Sequence, residues 1–91
     1  MPEDDPKIVA EHALATLLRL KGTDGEPALQ EIAAMVHAVA NRVVDPHRTE
    51  AWLAICRIGE SLEKTRLAAS PLWDDAISQT KKWREQLNSR D

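Results

Sequence analysis

Between Glu26 and Val44 the chain reads EPALQEIAAMVHAVANRVV, and the spacing of this stretch constrains the fold more than any other. Leu29, Ile32, Val36, Val39 and Val43 recur at three- and four-residue steps with Ala33 and Ala40 beside them, the stripe of a helix facing a core. Ala28, Met35 and Ala38 widen the stripe. A helix apolar over so much of its circumference needs cover from more than one side. The spacing therefore predicts an all-α bundle of about four helices around a central, most buried helix over residues 27–44. The polar remainder of that helix is narrow, with Gln30, His37 and Asn41 on one line and Glu31 and Arg42 on neighbouring ones. His37, Asn41 and Arg42 are the candidate binding residues of this strip.

The flanking segments supply the cover. Asp5 is a good N-cap and Pro6 suits the first helical position; Ile8, Val9, Ala13, Leu14, Leu17 and Leu18 then form the stripe of a helix over about 6–21. Gly22-Thr23-Asp24-Gly25-Glu26-Pro27 breaks the chain, and Thr23 with Glu26 three residues on has the pattern of a capping box. Asp45-Pro46 ends the central helix, since proline disfavours helix at the residue before it. Thr49 is the expected cap of a third helix carrying Ala51, Trp52, Ile55, Cys56, Ile58 and Leu62, with Gly59 a weak point or its end. Ser70-Pro71 opens the fourth, which lines up Trp73, Ala76, Ile77, Thr80, Trp83 and Leu87 on one face, with Asp74 and Asp75 early and Lys81, Lys82 and Arg84 late in the sense the helix dipole favours.

At 91 residues the chain is read as one domain, 1–91, able to bury a single modest core. No run approaches the roughly 18 to 20 apolar residues of a membrane span, and MPEDDPK is acidic where a signal peptide is basic. The expectation is a soluble, cytoplasmic chain with no membrane partner. A net charge of −3 argues against nucleic acid. Cys56 is the single cysteine, so an internal disulfide and a cysteine metal cluster are both excluded, and its place beside Trp52, Ile55 and Gly59 reads as a buried, inert thiol.

Few residues carry chemistry. His12, His37 and His47 come from three segments with no His-x3-His pair, so no metal site and no cofactor is expected. No serine, and not Cys56, has the local motif of a hydrolytic nucleophile. Glycoside cleavage needs carboxylates flanking a sugar cleft, one held protonated, and only Glu26 and Glu31, near the start of the central helix, are placed for that work.

Gly25-Glu26-Pro27, followed after a mostly apolar helix by Asn41-Arg42-Val43, resembles the core of the cell-wall hydrolases of the spore-cortex-lytic type, in which a Gly-Glu-Ala-x-Gly-Glu-Pro run precedes a helix ending in Asn-Arg-Val. The resemblance covers about residues 14–58. It implies a helical, lysozyme-like fold and peptidoglycan glycan strands as substrate, cleaved with a glutamate, here Glu26, as general acid. The chain departs from the pattern where the family has its first glutamate, the one usually given the acid role: Gly22 stands there. The later Asp-Pro-Thr and Gly-Ala-Thr-His segment is missing too.

Two readings follow. The first is a non-enzymatic helical module that binds a protein partner or a second copy of itself, the expected joint of a homodimer being helix three or four. The second is a cell-wall hydrolase with Glu26 as general acid. An exposed apolar patch favours the first; a cleft with Glu26 at its base favours the second.

Overall fold

The computed structural model describes residues 5–23, 25–42 and 48–89, with the side chains of Asn41 and Arg42 outside the description. Four helices follow one another: α1 (Pro6–Leu20), α2 (Gly25–Arg42), α3 (Thr49–Thr65) and α4 (Ser70–Ser89). This is the all-α bundle that the periodicity predicts, and no strand occurs among the described residues. Residues 43–47, with the expected end of the central helix and His47, lie outside the described residues.

The helix ends show how local chemistry sets the boundaries. Asp5 caps α1 as expected, its Oδ1 accepting from the Lys7 N–H at 2.9 Å, with Pro6 next. The capping box does not form: the Thr23 hydroxyl donates to the Leu20 carbonyl at 2.7 Å, closing α1 instead of opening α2. Gly22 and Gly25 both take positive φ, 85° and 84°, which lets the chain reverse between α1 and α2 in few residues. The Gly25 N–H reaches the Arg66 carbonyl at 3.0 Å, fastening the start of α2 to the end of α3. Gly59 neither ends nor breaks α3, which runs on to Thr65 and stops at Arg66 in the left-handed conformation, φ 61°. Thr49 and Ser70 are the first residues of their helices rather than caps. Asp74 and Asp75 lie past the first turn of α4 and serve as ion-pair partners, Asp74 of Lys21 at 2.7 Å and Asp75 of Arg57 at 3.5 Å.

One core joins the four helices. α1 and α4 run antiparallel: Lys21 at the end of α1 meets Asp74 near the start of α4, while Glu11 meets Arg84 further along. The short links from α1 to α2 and from α3 to α4 turn each of those pairs antiparallel as well. α1 packs on α4, α4 on α3 and α3 on α2, but α1 and α2 scarcely touch. The middle of the bundle therefore belongs to α3 and α4, not to the 27–44 helix. Trp73 and Trp83 are 1% exposed, and Ile55, Ile58 and Leu62 are fully buried. Among the described side chains of α2, Ala28, Ile32, Met35 and Val39 are the buried ones, while Leu29 and Val36 are half-buried and Ala33 and Ala34 stand in solvent. The reason is side-chain size. Alanines give α2 a wide apolar pattern but little volume, and the two tryptophans of α4 supply the bulk that a centre needs.

Candidate functional site

The open side of the bundle follows from the same inequality. The α1/α2 seam is lined by Ile8, Val9, His12, Ala13 and Thr16 from one bank and Glu31, Ala34, Met35, Ala38 and Val39 from the other, enclosing a groove of about 480 Å³. Val9, Ala13, Ala34 and Ala38 are too short to bridge helices that are each drawn toward a different neighbour, α1 to α4 and α2 to α3. Ile8 stands on the rim, 53% exposed although the α1 stripe placed it in the core. Arg19 and Glu31 pair across one end of the groove, from helices of opposite direction. His12 and Thr16, one turn apart on α1, and Glu31 opposite them are the polar groups of an otherwise apolar lining. A concave, apolar site with few polar groups is the form that takes an apolar side chain, helix or ligand.

A second, smaller groove of about 320 Å³ runs between α2 and α3, past Leu29, Ala33, Val36 and His37 on one side and Cys56, Gly59, Glu60 and Glu63 on the other. His37 is exposed there. Burial, and then the nearby Glu60 charge, push the Cys56 thiol above its ordinary range, so it is held in its unreactive protonated form. Among the described residues no three His, Cys, Asp or Glu side chains stand close enough to hold a metal.

Glu26 lies in the first turn of α2, exposed and paired with Arg66. It lines neither groove, whereas Glu31 lines the α1/α2 groove and pairs with Arg19. The two carboxylates thus lean on different arginines and share no cleft. Gly22, at the position of the first glutamate of the resemblance, holds a φ that a residue with a side chain rarely adopts. Asn41 and Arg42 belong to the last turn of α2, roughly 22 Å of helix from Glu26 at 1.5 Å per residue; what their side chains do lies outside the description. Of the expected binding residues, only His37 has a described side chain, and it faces the α2/α3 side rather than the larger groove.

Periodicity places Ile8 and Ala38 in the core and passes over Ala34, whereas all three line the open seam. Alanine at a stripe position reads as core whether or not a neighbour arrives to cover it, so spacing alone does not reveal the opening. No family model, curated protein or solved structure matches the chain. No helix of the described residues is long and apolar enough to cross a membrane.

Proposed function

We propose that the chain is a helical protein–protein interaction module that works without catalysis, with the α1/α2 groove as its docking face. The observation that carries this reading is the groove itself: an apolar channel of about 480 Å³ between two helices that the rest of the bundle leaves apart, with a large aliphatic side chain on its rim. Apolar surface of this kind is covered by a partner more often than it is left to water. A partner side chain or helix entering the seam gives α1 and α2 the neighbour that they do not give each other.

The setting of Glu26 favours binding over glycoside cleavage. A general acid works within hydrogen-bond reach of the leaving oxygen, opposite a second carboxylate across a sugar-holding cleft. Glu26 is exposed, is engaged by Arg66 and borders neither groove.

Fluorescence of an apolar naphthalene sulfonate dye with the folded chain at low micromolar concentration tests the reading. The expected result is a saturable signal, reduced severalfold by Ile8→Glu or Ala34→Glu and unchanged by Leu67→Glu, which alters an exposed leucine outside the groove. Loss of signal in the Leu67 variant with the groove variants unchanged overturns it. In parallel, the parent and Glu26→Gln are expected to release no muropeptides from peptidoglycan. Release by the parent that disappears in Glu26→Gln puts the hydrolase reading first.

A further inference from the structure

We propose that the partner covering the α1/α2 groove is a second copy of this chain, related by a two-fold axis running along the groove. The inference rests on the reading of that groove as a docking face. The two banks of the groove are self-complementary in charge. Arg19 on α1 and Glu31 on α2 sit at one level on opposite banks, 61% and 42% exposed at the side chain. A two-fold axis parallel to the groove turns the second copy over and lays its α2 on the first copy's α1 at the same level, with the helices antiparallel. Arg19 of each copy then meets Glu31 of the other, so that four charges alternate in sign where two stood before. Such an arrangement fixes register and orientation, while the apolar surface supplies the strength.

The apolar part fits the same axis. Ile8 of each copy lies over the far half of the other's α2, beyond Ala34 and next to Ala38, whose small side chain leaves room for a branched one. Ala15, exposed on α1, and Ala34, exposed on α2, let the facing helices approach closely. A standard interface takes about 800 Å² from each partner. That is about one seventh of the 5484 Å² surface, an area that one side of a four-helix bundle supplies.

Light scattering and sedimentation measure the result. The parent chain at high micromolar concentration is expected to approach twice the 10.2 kDa chain mass. Arg19→Glu sets acid against acid across the axis and Glu31→Arg sets base against base, so each variant alone is expected to associate at least tenfold more weakly. An equimolar mixture of the two restores opposite signs at both contacts and is expected to return the dimer. Helix content by circular dichroism shows that each variant is folded, and Ile8→Glu, an exposed change, provides a second monomeric variant. A parent chain that stays at one chain mass overturns the inference, as do variants that associate like the parent or a mixture that does not recover. If the dye signal still maps to the groove in that event, self-pairing alone falls and a different protein occupies the docking face.

Discussion

The α3/α4 seam and the α1/α2 seam are both made by antiparallel neighbours from helices of similar length, yet one is filled and the other is open. On the filled side, α3 brings Ile55, Ile58 and Leu62, and α4 brings Trp73, Trp83 and Leu87, all buried. On the open side, Val9, Ala13, Ala34 and Ala38 outnumber the larger Met35 and Val39, with Ile8 left in water. The apolar pattern is at least as regular on α2 as on α4. What differs is volume per apolar position, and with it the number of dispersion contacts that can hold two helices together. Stability in this chain thus resides on the α3/α4 side, and recognition has room on the α1/α2 side.

That division is broken most severely by a charge in the shared core. Ile32 is fully buried where α2 meets α3, close to Gly59. Ile32→Asp is expected to unfold the domain, because an unpaired buried charge costs several kcal/mol against roughly 5 to 10 kcal/mol in total. A native circular dichroism spectrum and an unchanged melt would refute it. Trp83→Ala, on the filled side, is expected to cost about 3 to 5 kcal/mol in urea unfolding through the cavity it leaves. Thr80 sharpens the comparison from the opposite direction. Its hydroxyl is fully buried with no hydrogen-bond partner among the described residues. Thr80→Val, of nearly equal shape, is expected to raise stability by about 1 kcal/mol, since the desolvated hydroxyl is removed. On the open side, Ile8→Ala is expected to change the stability of the monomer by less than about 0.5 kcal/mol. A loss comparable to that of Trp83→Ala would show that the α1/α2 seam carries stability after all.

The helices were legible in the sequence because their signals are local. Asp5-Pro6, the two glycines about Thr23 and the long periodic runs each act within a few residues, and they give four helices with ends close to those observed. Which helix holds the centre was not legible. Counting apolar positions favours 27–44, where four alanines inflate the stripe, and Val36 in its middle is only half-buried. The same blindness hid the groove. Ile8 and Ala38 satisfy the spacing of core residues, and only the pairing of α1 with α4 and of α2 with α3 leaves them lining an open seam. Glu26 was found by motif, but its partner Arg66 stands forty residues away in sequence, where no local pattern points to it.

Relaxation of side-chain methyl resonances by a soluble paramagnetic agent, recorded on dilute protein, tests most directly the claim that one seam is open and the other closed. Strong enhancement is expected at the methyls of Ile8 and Ala34, and almost none at Ile55, Ile58, Leu62 and Ile32. Ile8 and Ala34 protected to the same degree as Ile55 and Ile58 in the dilute monomer would contradict it, because the groove would then be closed by the chain itself and no docking face would remain.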